Sequence, residues 1–335
     1  MAILSAANRL SDYDSVIAMV ETTNTAQFPT GSGLTHAITN TVTTEVDLTA
    51  LITLSGFTNM LSEGDTMWCH FCVYPFDRGS SSAGSGLPFF GIYSVDGNLL
   101  AGIKRFTSSS DNCVATVVGG STVNGVVQYG FNISVIHTID CSLTFSGGTL
   151  TFSWYSNGSL IETVSVAYTH SAGKVPATLK WAPAYIGYYT RNAITLSNVI
   201  VATQNTIGMN LAPLVPQAVG VFSDWTGTLA SLSDGDDTTV LQADAAGKRY
   251  SWTLPALSTS QSIAALVMNM KGFSVQATPA SIRPFVRFGG ANYDGPTYAL
   301  PGETVLHRIL HVNPSTGVAW VPGNIVNTQL GVLSA

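Results

Sequence analysis

The sequence predicts an all-β protein made of two β-sandwich (jelly-roll) domains joined by a proline-containing linker. Three observations carry this. Short runs rich in Val, Ile, Thr, Phe and Tyr recur along the chain, separated by glycine-containing turns, which is the pattern of sandwiches and barrels. Charged residues make up only 10% and Gly numbers 32, a composition far from the Ala/Glu/Lys/Leu/Arg-rich one of coiled coils and helical arrays. The 335 residues exceed one ordinary domain, and Asn210–Gly220, with Pro213 and Pro216 and no charge, offers a break. The domains are therefore expected at 1–215 and 216–335.

The elements follow in order. A short helix is expected over Ser11–Val20, with Ser11 as its N-cap. Strands are expected at Val46–Leu54, Met67–Tyr74, Phe89–Val95, Gly130–Ile136, Leu150–Tyr155, Leu160–Ala167 and Ala193–Ala202. Turn signals at Asp96-Gly97-Asn98, Gly119-Gly120 and Gly147-Gly148 punctuate them. Asn157-Gly158 between two alternating runs is the clearest hairpin signal, because that pair suits a turn with positive φ. Beyond the linker come Thr239–Gln242, Lys248–Leu254, Ile263–Lys271, Ser281–Phe288 and Thr304–Asn313. No repeat of 20–50 residues is present, which argues against a propeller or β-helix.

A net charge of −6 with 13 Lys and Arg gives no electrostatic footprint for nucleic acid. Met1–Leu10 lacks the order of a secretory signal, since its only base follows the apolar start and Asp12 and Asp14 come next. No apolar run is long enough to span a membrane. The expectation is a protein made in a host cytoplasm, without membrane insertion, whose surface of Thr, Ser, Gly and Asn suits life outside cells. A virion component meets both conditions.

Candidate chemistry is sparse. Cys69 and Cys72 form a Cys-x-x-Cys, but on a strand an odd spacing sends them to opposite faces. They are expected, with Cys113 and Cys141, as free thiols rather than zinc ligands. Asp234, Asp236 and Asp237 could hold a structural calcium through clustered oxygens, or simply cap a tight turn; no other cofactor is expected. Glu45 and Asp47 have the spacing that puts two carboxylates on one strand face, yet Val46 and Leu48 would turn them to solvent. The six histidines are read as isolated. With no Gly-x-Ser-x-Gly elbow or phosphate cradle, no enzyme is expected. Trp181, Tyr185, Tyr188, Tyr189 and Trp320 are the aromatic residues that either pack in cores or make an interface or glycan contact, where Tyr and Trp are enriched.

Several segments resemble known families. Gly64-Asp65-Thr66-Met67-Trp68, the hairpin Leu150–Leu160, Tyr185-Ile186-Gly187-Tyr188-Tyr189 and Leu196-Ser197-Asn198-Val199-Ile200-Val201 resemble the concanavalin A-like (laminin-G-like) jelly roll. That family's calcium-binding acids are not recognisable here. Residues 222–335 resemble a module of tailed-bacteriophage virion proteins, similar in architecture to galactose-binding-like jelly rolls. The residues that carry this are Leu232–Val240, Pro284–Gly295, Asn313-Pro314-Ser315-Thr316-Gly317-Val318-Ala319-Trp320 and Gly331-Val332. The resemblance implies a structural component of a virion, placed as capsid decoration, collar or tail- or fibre-associated protein. Its partners would be other virion proteins and copies of itself, a trimer being favoured, with Val318–Pro322 as part of the contact. The alternative is a virion adhesin that binds host-surface carbohydrate.

Overall fold

The structure is a computed structural model. It describes residues 3–7, 15–17, 20–22, 28, 34, 37–39, 49–53, 63–75, 88–105, 113–120, 124–127, 129–130, 135–181, 194–233, 238–275 and 280–335. The chain is all-β and divides into two compact units, Met1–Ala212 and Pro213–Ala335. Within the described residues, no helix is long and apolar enough to cross a membrane.

Unit 1 holds two antiparallel sheets. One has eight strands, in the order Ser159–Ala167, Thr149–Ser156, His137–Ser146, Thr66–Pro75, Ile194–Ala202, Ala37–Thr39 and Val20–Thr22, with Ile3–Ala7 also pairing Ile194–Ala202. The other has seven: Tyr129–Gly130, Cys113–Val118, Leu99–Arg105, Pro88–Ser94, Pro176–Trp181, Thr49–Thr53 and Ser15–Ile17. Alternation along each strand sends one set of side chains between the sheets. Met67, Cys69, Phe71 and Val73 take that side of their strand and meet Phe90, Ile92, Ile103, Leu179 and Trp181 from the other sheet. Phe71 lies 4.9 Å from Phe90 and edge-on to Trp181 at 5.7 Å, so three aromatic rings bridge the layers.

Local chemistry explains the clearest hairpin. Asn157 and Gly158 sit at φ 51° and 78°, the positive values a two-residue turn needs to match the twist of its strands. The N-terminal helix expected over Ser11–Val20 is not formed, because Ser15–Ile17 and Val20–Thr22 are strands. Val16, Ile17 and Val20 are β-branched and lose side-chain freedom in a helix. They gain more as strand residues paired with Thr49–Leu51 and Ala37–Thr39.

Unit 2 has a six-stranded antiparallel sheet ordered Ala218–Ser223, Arg249–Thr253, Gln329–Ser334, Ala280–Phe288 and Ala291–Asp294, with Tyr298–Leu300 also on Ala280–Phe288. A two-stranded sheet joins Leu266–Gly272 to Thr304–Leu310. Tyr250, Trp252, Val286, Leu330 and Val332 from the larger sheet pack with Leu266 and Met268 from the smaller, closing a second core. Thr239–Gln242, expected as a strand, contributes only a single bridge from Gln242 to Thr226.

The segment expected to be an extended linker is divided between the units. Leu211 donates its N–H to Asn198 Oδ1 at 2.7 Å inside unit 1. Gln217 donates to the Thr253 carbonyl, and Ala218–Ser223 is a strand of unit 2.

Candidate functional site

On the eight-stranded sheet the face turned away from the core carries Trp68, His70 and Cys72 from one strand and Thr138, Asp140 and Ser142 from its neighbour, because His70 is paired with Asp140 and Cys72 with Thr138. Such a face is ordinarily wet. Here His70, Cys72, Asp140, Asn198 and Thr206 are all buried, because the 203–211 segment is tied down upon it. His70 Nδ1 lies 2.9 Å from Asp140 Oδ1, and Thr206 Oγ1 donates to the same oxygen at 2.7 Å. Asn198 Nδ2 stands 3.0 Å from His70 Nε2 and 3.7 Å from Cys72 Sγ. The backbone makes room for this at a bulge between Ser197 and Ile200. There Asn198 takes φ 56°, a left-handed conformation that Asn tolerates better than most residues. Asp140 Oδ2 is buried with no hydrogen-bond partner among the described residues.

Burial alone would lower the His70 pKa. Hydrogen bonds to Asp140 and Cys72 and the charge of Asp140 outweigh it and raise the pKa from 6.5 to about 9. The folded-state value exceeds the unfolded one, so this pair's contribution to stability is complete below pH 6.5 and is lost as pH rises through about 9. In Asp140→Asn the opposing charge is gone, and the ring is expected to titrate well below its native value of about 9. NMR titration of the ring checks this, and an unmoved titration would remove Asp140 as the cause.

His70 is thus not isolated, as the sequence suggested. A carboxylate, an imidazole and a sulfur stand side by side, but closed off from solvent. What the arrangement does is hold the 203–211 segment on the sheet. A second buried carboxylate, Glu162, accepts from Thr116 Oγ1 and from the backbone N–H groups of Val126 and Val127. Thr116 Oγ1 in turn accepts from Trp154 Nε1 at 3.0 Å.

Cys69 points into the core while Cys72 points to the opposite face beside Thr138, as their spacing predicts. Cys69, Cys72 and Cys141 are buried free thiols, and burial raises the pKa of Cys69 and Cys141 well above the usual thiol value. These three are expected to resist a thiol reagent until the chain is denatured; rapid labelling of the native protein would contradict the packing. Among the described residues no group of three or more His, Cys, Asp or Glu is arranged to hold a metal. Asp234, Asp236 and Asp237, the expected calcium loop, lie outside the described residues, as do Tyr185, Tyr188 and Tyr189.

Trp181 and Trp320, read as either core or contact residues, both pack in cores. Trp181 is fully buried between Phe71 and Phe90. Trp320 is 2% exposed, and its indole N–H donates to the Leu310 carbonyl at 2.8 Å. Both side chains pack inside their own units, where they can meet neither a glycan nor a partner. The valines beside Trp320 are different: Val318 and Val321 are 58% and 51% exposed.

Among the described residues, a cluster of arginine, aromatic and polar side chains lies in unit 2, on the outer face of the six-stranded sheet. Pairing of Arg249 with Leu333 and Arg283, and of Ser251 with Gly331, Phe285 and Asp294, sets these residues on one face, together with Gln329, Arg287 and Asn292. Phe285 is buried on that face because Gly331 leaves space beneath its ring; a Cβ at Gly331 would collide with the ring and with the Tyr250 carbonyl. Phe222 meets Phe285 edge-on at 5.8 Å. The Arg249 guanidinium lies 4.8 Å from the Phe285 ring centre, and that of Arg287 lies 5.5 Å from the Phe222 ring centre. Arg249 grips Asp294 with both terminal nitrogens at 2.9 and 3.0 Å, and these bonds hold the Asp294 pKa below the usual carboxylate range. Arg283 donates through Nε to Thr297, and Arg287 through Nη1 to Asn292. Sequence reasoning passed over this face, although Arg283, Phe285 and Arg287 alternate at the period of a strand.

No known protein family matches the sequence, and no curated protein matches it closely enough to count as a relative. Solved structures resemble part of its fold. An endo-β-1,4-glucuronan lyase from the fungus Trichoderma reesei is 11% identical, with a TM-score of 0.42 over 59% of this chain and 94% of that one. An alginate lyase is 11% identical, with a TM-score of 0.40 over 61% and 99%. Peanut lectin is 12% identical, with a TM-score of 0.29 over 57% and 100%. A β-glucanase catalytic domain from Podospora anserina is also similar. The expectation that the chain is not an enzyme does not stand beside these neighbours, since lyases and a glucanase are among them. At these scores the likeness carries no activity, substrate or residue role to this chain.

Proposed function

We propose that the protein is a structural component of a tailed-phage virion that works by protein–protein assembly, with unit 2 supplying contacts. The observation that carries this reading is a group of exposed valines close together in sequence near the C-terminus. Val312, Val318, Val321 and Val326 are each 43–58% exposed within fifteen residues, and the backbone bond from Asn313 N–H to the Val318 carbonyl draws Val312 and Val318 together. Apolar groups concentrated in this way mark interaction surfaces. The contact expected at Val318–Pro322 therefore rests on the valines, with Trp320 as the anchor beneath. The resemblance of 222–335 to phage virion modules supports the same reading. On this reading the protein would sit in the virion, docked on capsid or tail proteins and on copies of itself.

The test is cosedimentation of the purified chain with particles that lack it. The native chain is expected to bind. Val318→Ser with Val321→Ser is expected to bind roughly tenfold more weakly or worse, since each buried valine contributes about 1.5–3 kcal/mol. Failure of the native chain to bind would sink the virion reading, and equal binding by the variant would misplace the contact. A second reading, a virion adhesin for host-surface carbohydrate, is favoured by the arginine–phenylalanine face of unit 2.

A further inference from the structure

We propose that the outer face of the six-stranded sheet in unit 2 binds a carboxylate-bearing polysaccharide, with Arg283 and Arg287 as its anion contacts. This goes beyond assembly and gives the adhesin reading a site and a ligand class. The chain carries eight arginines and a net charge of −6, yet Arg249, Arg283 and Arg287 share one sheet face. The acid on that face, Asp294, has both oxygens taken by Arg249. Asp224 is close by but accepts from the Arg249 backbone N–H. Among the described residues no carboxylate is in direct contact with Arg283 or Arg287, although the charge of Arg283 also acts on Asp294.

Each of these guanidiniums is half-buried and fixed by one hydrogen bond, to Thr297 or Asn292, and Arg287 is also stacked near Phe222. A guanidinium fixed in this way loses little freedom on binding, and its remaining N–H groups keep the fork that matches a carboxylate. Arg283 and Arg287 are four residues apart on one strand, which separates them by roughly 13 Å. Between them on the strand lies the buried Phe285, with the half-buried Phe222 ring edge-on to it, and Gln329 is paired beside Arg287.

The ligand that fits has carboxylates repeating at a fixed spacing and flat C–H surface between them. A uronate polymer offers both on stiff rings. An acidic peptide offers the carboxylates on flexible stems and loses more entropy when ordered. A neutral glycan leaves the guanidiniums without partners.

Polygalacturonate is the probe, with dextran as the neutral polymer and polyglutamate as the acidic peptide, each titrated into the full chain by calorimetry. Polygalacturonate is expected to bind, more weakly as salt rises, and dextran is not. Arg283→Gln with Arg287→Gln is expected to weaken polygalacturonate binding about tenfold or more. The doubly Lys-substituted variant keeps the charge without the fork and is expected to fall between. An unaltered unfolding midpoint shows that a variant is folded, and its unaltered oligomeric mass separates this site from the assembly contact. The proposal is overturned if polygalacturonate does not bind, if folded double variants bind it as the native chain does, or if polyglutamate binds equally well, which would assign the face to an acidic protein.

Discussion

Asp140→Ala is expected to lower the stability of unit 1 by about 3–5 kcal/mol. The carboxylate is buried with His70 and Thr206 on one oxygen. Its removal strands an imidazole whose proton it holds and a hydroxyl that has lost its acceptor, both away from water. Breaking one side of a buried pair is far costlier than never having built it, because the remaining group keeps its full desolvation penalty. The loss should extend to the 203–211 segment, which Thr206 holds on the sheet. Urea unfolding, with hydrogen exchange read at residues 203–211, checks both. A stability loss below about 1 kcal/mol, the net worth of an ordinary hydrogen bond, would mean that the cluster is not a latch.

Trp320→Ala is expected to cost unit 2 about 3–5 kcal/mol, the usual range for truncating a large buried aromatic residue. The side chain packs with Trp252, Ile325, Leu330 and Val332. Its loss leaves a cavity and also frees the Leu310 carbonyl that its N–H satisfies. Val318→Ser, two residues earlier and exposed, should change stability by less than about 0.5 kcal/mol, as surface substitutions usually do. If Trp320→Ala unfolded at the native midpoint and merely weakened association, the indole would be a contact residue after all. The contrast between these neighbours separates packing from assembly in one short segment.

Much of the fold was legible where local chemistry decides it. Asn157-Gly158 announces its hairpin because positive φ is needed at both positions and few other pairs supply it. Met67–Tyr74 reads as a buried strand because apolar and aromatic residues fill it, and Thr66–Pro75 is one. His137–Ser146 was not legible. It opens with His, Thr and Asp, and its stability comes from partners at Thr66–Val73 and Thr149–Ser156, which no local window contains. The site was harder for the same reason. His70, Asp140, Asn198 and Thr206 are far apart in sequence, and in the structure His70 and Asp140 are paired on the sheet face away from the core. What alternation cannot tell is that a later segment covers that face and makes it dry. The arginine face lay closer to hand, since Arg283-x-Phe285-x-Arg287 shows its period directly. Its meaning depends on Asp294 being occupied by Arg249, which only the register reveals.

The valines of unit 2 are proposed to join this chain to copies of itself and to other virion proteins. Sedimentation equilibrium of the purified chain tests it most directly. A multiple of 35.2 kDa is expected, three being the favoured number, with a return to the single-chain mass in Val318→Ser with Val321→Ser. A native chain that stays at 35.2 kDa at high concentration would contradict the claim.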